Sequence, residues 1–568
     1  MKKIAESVYN AAPIKSIREM MELAVQEAGN SIAFRFREKG RVRRKTYREF
    51  QDDNIALGTA LAEKGILGEH IAVVGKNSYP WINVYLTVLQ GDGVIVPLDK
   101  GLPEEDLLNL LNESDSAVLF YSGRFEELLQ KNRCRIPGVK YFIGFDRKED
   151  DGCFLSFDRL LKFGKRLAAD GAGEYLTREG KDKNALKQLT YTSDGSGEFR
   201  GVMLSEHNLT SCVSNGLGAF TVCSAGLSVL PLHNIYELSG LLISLHKHAV
   251  VCINENLKMM QRNLLFYKPD YICLAPGIAE AFYKKIWMQA EKNGREKALK
   301  RMIHISSGLR NRGIDMRKQL FGSVRRIFGG NMKKIICTGA PLRAEIGEFF
   351  DAIGISVVNS YGIAECSSFV CVNQDGKNDP AAAGVPLSCC QLRFEDITEE
   401  GRGEICVKGD VVMLGYYKNP ELTAEVIDRE GWFHTGDFGY INAAGQLVVT
   451  GCRKNLIVLE NGKNVFPEEI ESHLLSIPYI KESVVYGLTN EKGKEVGLCA
   501  EVFLDMRRLQ KEGAAGINES AARLRNDIFQ VSKVLPDYEH ISRIVVRDQE
   551  FEKTAMNKIK RVYANSYC

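Results

Sequence analysis

The stretch 189–209 reads LTYTSDGSGEFRGVMLSEHNL and determines much of what we expect of the fold. Its apolar start predicts a strand that ends near 191–193, and Ser205 is a typical residue for the first position of a helix. Three glycines lie between these two points: Gly195, Gly197 and Gly201. Glycine lets a backbone approach an anion closely, and helix N-termini attract anions. The stretch therefore predicts a strand–turn–helix connection that either holds a phosphate group or is a plain turn.

Composition narrows the class of protein. The chain has 568 residues, which is more than one hydrophobic core accommodates, so we expect at least two domains. Lys plus Arg number 75 against 72 Asp plus Glu, and this balance argues against nucleic acid as a partner. The N-terminus lacks the apolar core of a signal peptide and no apolar run reaches membrane-spanning length, so a cytoplasmic location is expected. The 15 cysteines, without CxxC pairs, suit reduced thiols.

The pattern along the chain predicts an α/β fold. Strand-like runs alternate with helical patterns over 71–120, and later apolar runs end in glycine, proline or polar turns. After about Ala383 short strands predict a β-rich lobe, and after about Cys452 an α+β tail follows. We therefore predict a large N-terminal domain, 1–451, of layered doubly wound α/β subdomains plus a small β-rich lobe. A small mobile α+β domain, 452–568, follows it.

Eight segments occur in an order that resembles the AMP-forming adenylating superfamily. They are YTSDGSGEFRGV, LPLHNIYELSG, CTGAPL, NSYGIAE, GEICVKGDVVMLGYYKNPE, WFHTGDFG, TGCRKNLIVLENGKNVFPEEIE and FEKTAMNKIKR. The resemblance runs from Lys76 to Arg561 and looks closest to the bacterial-type long-chain fatty acid CoA ligases. It implies a ligase that uses ATP, Mg²⁺ and CoA. Such an enzyme converts a carboxylic acid to an acyl-adenylate, releases pyrophosphate, and transfers the acyl group to the CoA thiol.

The resemblance assigns most nucleotide contacts to three segments. The phosphate loop would contribute Thr192, Ser193, Ser196, Gly197 and Arg200. The turn Gly339, Ala340 and Pro341 would line the adenine. In NSYGIAE, Ser360, Tyr361 and Gly362 would contact the nucleotide, with Tyr361 stacked on adenine, and Glu365 would bind Mg²⁺ as a catalytic and metal-ligating residue. Without the resemblance, the first two segments would be turns, Tyr361 a core aromatic residue and Glu365 a surface acid.

The remaining roles implied by the resemblance lie further along the chain and in one earlier segment. His233, with Tyr236 nearby, would lie beside the carboxylate and the acyl channel, whereas Leu238, Leu241 and Leu242 are expected to be core residues. Asp437 would accept hydrogen bonds from both ribose hydroxyls, and Arg453 would contact the nucleotide. Lys558 would be the adenylation lysine. Lys454 would be the hinge about which the small domain swings, presenting Gly462 and Lys463 to CoA.

The sequence also departs from the family pattern in ways that bear on activity. Asp194, Phe199 and Arg200 replace glycine, proline and lysine in the phosphate loop. Ala364 replaces a threonine. Cys452 stands where an arginine is usual, and Arg453 follows it. Adjacent side chains of an extended strand face opposite ways, so Arg453 is not expected to replace the missing arginine directly.

These departures leave alternatives open. The chain is either an active ligase, a catalytically weakened nucleotide- or acyl-binding relative, or an adenylating enzyme that loads an acyl carrier protein or uses an aryl or amino acid. Peripheral membrane contact, acyl chain length and oligomeric state are also left open by the sequence.

Overall fold

The structure is a computed structural model that describes residues 8–9, 12–171, 182–193, 198–310, 312–461, 463–489, 494–511, 517–533, 535–553 and 559–561. Its residues fall into two compact units. The first is drawn from Met1–Thr192, Phe199–Gln391 and Lys408–Gly431, and the second from Ser193–Glu198, Leu392–Val407 and Trp432–Cys568.

The helices of both units are numbered in chain order. They are α1 Ile17–Ala28, α2 Tyr47–Glu63, α3 Tyr79–Gln90, α4 Glu104–Glu113, α5 Glu126–Asn132, α6 Phe157–Ala169, α7 Glu206–Ala219, α8 Ile235–His246, α9 Met260–Tyr267, α10 Pro276–Lys292, α11 Glu296–Arg310, α12 Arg317–Leu320, α13 Gly322–Arg325, α14 Ala344–Ala352, α15 Pro420–Val426, α16 Pro467–Leu474, α17 Met506–Lys511 and α18 Ile517–Ser532.

The strands are numbered in the same way. They are β1 Ile32–Glu38, β2 Arg41–Thr46, β3 His70–Val74, β4 Val94–Leu98, β5 Ser116–Tyr121, β6 Tyr141–Gly144, β7 Phe154–Ser156, β8 Leu186–Ser193, β9 Phe199–Ser205, β10 Ala225–Ser228, β11 Val250–Ile253, β12 Tyr271–Leu274, β13 Lys334–Cys337, β14 Ser356–Tyr361, β15 Cys371–Val372, β16 Val385–Pro386, β17 Cys390–Glu395, β18 Gly403–Gly409, β19 Gly415–Tyr416, β20 Phe433–Ile441, β21 Leu447–Cys452, β22 Ile457–Val458, β23 Asn464–Val465, β24 Ile480–Thr489, β25 Glu495–Leu504 and β26 Ile541–Arg547.

The first unit contains two large, mainly parallel sheets. One has nine strands in the order β16-β15-β14-β13-β12-β10-β11-β1-β2, and the other has eight in the order β19-β9-β8-β4-β3-β5-β6-β7. Parallel pairing runs from β14 to β1 in the first sheet and from β8 to β7 in the second. Inner strands such as β3, β4, β5 and β13 are apolar and buried, as expected when helices cover both faces. The predicted α/β fold class is confirmed.

The second unit is built on antiparallel and mixed sheets. Strands β18, β20 and β21 pair in that order with β17 beside β18, and β24, β25 and β26 form a separate three-stranded sheet. The core of that second sheet is a cluster of aliphatic side chains into which α16 contributes Ile470 and Leu474 and α18 contributes Leu524 and Ile528. The four-stranded sheet of this unit carries Asp437 on β20, and Arg453 follows its last strand, β21.

The connection between β8 and α7 differs from the expected strand–turn–helix. Strand β8 ends at Ser193 as predicted, but the chain then forms a further strand, β9, before the helix begins. The helix starts after Ser205 because that residue caps it: Ser205 Oγ accepts from the Asn208 amide at 3.1 Å, and Asn208 Oδ1 accepts from the Ser205 amide at 2.8 Å. Strands β8 and β9 are neighbours in the eight-stranded sheet, and residues 194–197 between them lie outside the described residues.

The division into compact units bears on the predicted boundary at 451/452. The β-rich segment from Trp432 belongs to the second unit together with the C-terminal part of the chain. The boundary at residue 452, which concerns the hinge of a swinging domain, stays a prediction. Among the residues that the structure describes, none of the helices has the length and apolar content needed to cross a membrane.

Candidate functional site

The described residues of the predicted phosphate loop lie on the neighbouring strands β8 and β9. Thr192 and Arg200 are half-buried on the two strands, and Ser193, the last residue of β8, is exposed. Ser196, Gly197 and the substituted Asp194 lie outside the described residues. Hydroxyl groups and one guanidinium therefore flank the loop on its two strands.

The two segments that are predicted to line the adenine follow neighbouring strands of the nine-stranded sheet. Strands β13 and β14 are parallel neighbours, with Cys337 opposite Asn359, so the segments that follow them emerge at the same edge. After β13, Gly339 has a φ of 91°, and Gly339, Ala340 and Pro341 are exposed. Ser360 Oγ donates to the Cys337 carbonyl at 3.3 Å. The structure thus brings these two segments together, and their contact with adenine stays a prediction.

Gly362 fixes the path of the chain after Tyr361. A Cβ atom at Gly362 would lie 1.8 Å from the Ser368 carbonyl oxygen, so a larger residue does not fit there. The hydroxyl of Tyr236, on α8, donates to the Gly362 carbonyl. Tyr361 itself is 8% exposed. The segment is therefore held tightly against α8, with little of the Tyr361 ring open to solvent.

Glu365 lies in a 3₁₀ turn, Ala364–Cys366, and contacts a residue that the sequence did not single out. The Tyr416 hydroxyl donates to Glu365 Oε1 at 3.1 Å, and Arg200 is hydrogen-bonded to the same hydroxyl. Tyr416 is placed by the pairing of β19 with β9, in which it lies opposite Val202. The Met413 amide donates to the Glu365 carbonyl at 2.8 Å. One hydroxyl thus links the predicted metal-binding carboxylate to the predicted phosphate-binding cation.

The electrostatics of this group suit a hard cation beside phosphates. Burial raises the pKa of Tyr416, the charge of Glu365 raises it further, and Arg200 lowers it, so the phenol remains a donor at neutral pH. Glu365 is half-buried and offers carboxylate oxygens, which Mg²⁺ prefers. The donor set at Glu365 therefore fits Mg²⁺ that also contacts phosphate oxygens.

His233 lies in the turn before α8 and is clamped by its surroundings. Asn77 Oδ1 accepts from the Leu232 amide at 3.1 Å, and Asn77 Nδ2 donates to the Leu230 carbonyl at 2.7 Å. His233 Nδ1 lies 3.6 Å from Asp99 Oδ1. Burial lowers the pKa of His233, Asp99 raises it and Lys100 lowers it, with a net lowering that favours neutral imidazole. As expected, Leu238, Leu241 and Leu242 are buried.

In the second unit Asp437 lies on β20, directly opposite Cys452 on β21. The Asp437 amide donates to Thr435 Oγ1 at 3.1 Å, which orders the HTGD turn. The pKa of the Cys452 thiol is raised to about 11 by burial and by the charge of Asp437, so the thiol is neutral at physiological pH. The position that faces the predicted ribose carboxylate therefore carries no positive charge.

Arg453 is engaged with carboxylates of its own unit. It lies in a 3₁₀ turn, Arg453–Asn455, and its Nη2 lies 2.7 Å from Glu404 Oε2, with Asp396 Oδ2 also in contact. The side chain of Glu404 is 7% exposed, and its Oε1 accepts from the Gly436 amide at 3.0 Å. Whether Arg453 also contacts nucleotide stays a prediction.

Of the other predicted residues, Lys454 lies exposed in the same turn as Arg453. Lys463 lies with its Nζ 2.5 Å from Glu399 Oε2, and the hydrogen bond to Glu399 raises the pKa of Lys463. Gly462 and Lys558 lie outside the described residues. The role of Lys558 as the adenylation lysine therefore stays a prediction.

Sequence reasoning missed Tyr416 and Glu404, although both lie in the quoted segment GEICVKGDVVMLGYYKNPE. It also missed Glu395, Cys406 and His434, whose ligand atoms lie within 4.8 Å of one another. Arg393 lies 2.8 Å from Glu395, and the pKa of the Cys406 thiol is raised to about 12 mainly by burial. The guanidinium of Arg393 thus already supplies positive charge beside Glu395, Cys406 and His434.

Comparison with known proteins places the chain in a family. Residues 21–417 match the AMP-binding enzyme family. Long-chain-fatty-acid–CoA ligase 5 of Rattus norvegicus is 26% identical over 500 residues, 82% of this chain and 72% of the relative. Long-chain-fatty-acid–CoA ligase FadD15 of Mycobacterium bovis is 26% identical over 451 residues, 74% and 71% of the two chains.

Solved structures agree on the fold. The anthranilate CoA ligase AuaEII in complex with anthranoyl-AMP has a TM-score of 0.76 at 16% identity, covering 97% of this chain and 96% of that one. The o-succinylbenzoate CoA synthetase of Bacillus subtilis in complex with OSB-AMP has a TM-score of 0.70 at 20% identity, covering 99% of both chains. The resemblance drawn from the motifs is confirmed, and the chain belongs to the AMP-binding enzyme family.

Proposed function

We propose that this protein is an AMP-forming acyl-CoA ligase that activates a carboxylic acid, in the first place a fatty acid. The observation that carries the proposal is the contact of Arg200, Tyr416 and Glu365 through one phenolic hydroxyl. A cation from β9 and a carboxylate suited to Mg²⁺ meet there, as a site for a metal-bound triphosphate requires.

In the first half-reaction a carboxylate oxygen of the acid attacks the α-phosphorus of ATP, and the bond from that phosphorus to pyrophosphate breaks. Arg200 and the hydroxyls of Thr192 and Ser193 would bind the phosphates and orient them. Glu365 would hold Mg²⁺, which when bound neutralises charge on phosphate oxygens. Tyr361 would stack on adenine and Asp437 would accept from the ribose hydroxyls. Lys558 would balance the charge on the α-phosphate.

In the second half-reaction the sulfur of CoA attacks the acyl carbon, the thiol loses its proton, and AMP leaves. Adenylation makes this step feasible because AMP is a far better leaving group than an oxide ion. By resemblance the chain would pivot at Lys454 between the two steps and bring Gly462 and Lys463 to CoA. In the structure Lys463 is paired with Glu399. That ion pair would have to break before Lys463 contacts CoA.

The choice of a fatty acid rests on relatives whose names are long-chain-fatty-acid–CoA ligases. A similar fold also occurs in an anthranilate CoA ligase and in the adenylation domain of a carboxylate reductase. An aryl acid as substrate, and an acyl carrier protein as acceptor, are therefore the alternatives within the same chemistry.

A second candidate is a nucleotide- or acyl-binding protein with little turnover. The observation that favours it is Cys452, which is neutral and faces Asp437 where the family has an arginine. Arg453 is bound to Glu404 and Asp396, so it does not supply the missing charge to that face.

The deciding experiment incubates the purified protein with MgATP and a panel of fatty, aryl and amino acids, with and without CoA. Pyrophosphate, AMP and acyl thioester are measured for each acid. A fatty acid that gives all three supports the ligase. Pyrophosphate without thioester directs the search to a carrier protein, and nucleotide binding without acid-dependent pyrophosphate favours the second candidate.

A further inference from the structure

The β1–β2 hairpin concentrates positive charge that the overall balance of the chain conceals. Residues 35–45 read RFREKGRVRRK, with seven basic residues and one acid, whereas the whole chain has a formal net charge of +3. The hairpin forms the edge of the nine-stranded sheet, far in strand order from β13 and β14. It therefore presents a strongly basic edge away from the strands that carry the adenine segments.

Little of this charge is neutralised within the protein. Arg43 pairs with Glu38 at 3.3 Å, and Lys45 pairs with Asp53 at 2.7 Å. Among the described residues, no carboxylate lies within 4.0 Å of the other five, which are Arg35, Arg37, Lys39, Arg41 and Arg44. Arg35 and Arg44 are directly opposite in the register of the two strands. Like charges placed in this way destabilise a hairpin, and a bound anion offsets that cost.

Exposed apolar side chains adjoin the same hairpin. The Arg37 guanidinium lies 4.9 Å from the ring centroid of Phe266, on α9. Phe266 is 51% exposed and Leu265 beside it 49%. Val42, opposite Arg37, is 36% exposed. We call the hairpin 35–45 together with Leu265 and Phe266 the basic hairpin surface.

We propose that the basic hairpin surface docks on a bilayer that contains anionic phospholipids. Charges on an edge strand prevent sheet-to-sheet aggregation, but that role does not require exposed leucine and phenylalanine next to them. Nucleic acid would use the arginines and stack on an aromatic ring, but it offers no apolar phase for Leu265 and Val42. Anionic headgroups over an acyl region match both the charges and the apolar side chains. This inference is independent of which acid the enzyme activates.

The test is co-sedimentation of the full chain with vesicles of phosphatidylcholine alone or mixed with phosphatidylglycerol. We expect binding to the mixed vesicles that falls as salt concentration rises. Each basic residue near an anionic surface contributes about 1 kcal/mol, so Arg41→Gln combined with Arg44→Gln is expected to weaken the partition constant by about 30-fold. Lys297→Gln with Arg301→Gln, two exposed residues of α11, removes the same charge elsewhere and should leave binding unchanged.

A second variant tests the apolar part and does not depend on the arginines. Leu265→Ser with Phe266→Ser should weaken vesicle binding while its thermal unfolding stays close to that of the wild type, because both side chains are about half exposed. Equal binding to neutral and anionic vesicles, or an equal loss in the α11 variant, would overturn the proposal. So would binding of RNA that vesicles fail to displace.

Discussion

The hydroxyl of Tyr416 lies 3.1 Å from Oε1 of Glu365, and the pairing of β19 with β9 places Tyr416 beside the strand that carries Arg200. Tyr416→Phe removes only this hydroxyl. Glu365 and Arg200 then lose their common partner, and a hydrogen bond to a charged group contributes about 1.5–3 kcal/mol. We expect MgATP to bind about tenfold more weakly. Calorimetric titration with ATP, in the presence and absence of Mg²⁺, measures this directly.

Tyr417→Phe is the matched control for that substitution. The Tyr417 hydroxyl bonds to Asp115 at 2.7 Å, at a more exposed position than Tyr416, so its removal should leave MgATP binding unchanged. Equal effects of the two substitutions, or a loss in Tyr416→Phe that is the same without Mg²⁺, would contradict the positioning role of Tyr416.

The parallel sheets could be predicted because buried strands are short apolar runs that end in turns, as at 71–120 and 333–337. Strand β9 could not, because FRGVMLS carries glycine and arginine among its apolar residues and lies directly before a capped helix. Its assignment depends on pairing with β8 on one side and with β19, which lies more than 200 residues away in the chain, on the other.

The same limit applies to the candidate site. Glu365 and Arg200 belong to motifs with a recognisable order, but Tyr416 becomes significant only through the β9–β19 register. For Arg453, the sequence predicts only that its side chain faces away from that of Cys452. That it pairs with Glu404 depends on which carboxylates β18 presents, and β18 is separated from β21 by β20.

The ion pair of Arg453 with Glu404 is expected to contribute to the stability of the second unit. Glu404 is nearly buried, so removing its partner leaves a poorly solvated charge beside the HTGD turn. We expect Arg453→Met to lower the free energy of unfolding by about 2 kcal/mol. Adding Glu404→Gln should recover part of that loss, whereas Arg429→Met, at an exposed position, should change little. Additive effects in this double-mutant cycle would show that the pair is not coupled.

Cys452→Arg is expected to improve the use of ATP. The new guanidinium would lie directly opposite Asp437, where it could bind ribose or phosphate oxygens as a fixed donor. We expect kcat/KM for ATP to rise about tenfold, since one charged hydrogen bond contributes about 1.5–3 kcal/mol. Cys452→Met, which fills the position without charge, should not change it. An unchanged kcat/KM in the arginine variant would mean that Cys452 does not limit the site.

Glu237 should make stability depend on pH. Its side chain is buried on α8, and its Oε2 accepts from the Leu230 amide at 3.1 Å, in the segment that leads to His233. Burial raises its pKa from 4.5 to about 8, and the nearby Ser228 hydroxyl and the Leu230 and Val229 amides oppose this rise. Between these two values the folded protein keeps a proton that the unfolded chain releases. Stability contributed by this proton is therefore fully present below pH 4.5 and is lost as pH rises to about 8.

Glu237→Gln removes this titration because the amide is neutral at every pH. Relative to the variant, the wild type should lose up to about 5 kcal/mol as pH rises between the two pKa values, since one pKa unit corresponds to about 1.4 kcal/mol. Melting temperatures of both proteins near pH 4.5 and near pH 8 measure the difference. Glu22→Gln, an exposed carboxylate on α1, controls for the loss of one acid. Parallel pH profiles of wild type and Glu237→Gln would mean that Glu237 is ionised in the folded protein and that the Leu230 amide donates to a charged carboxylate.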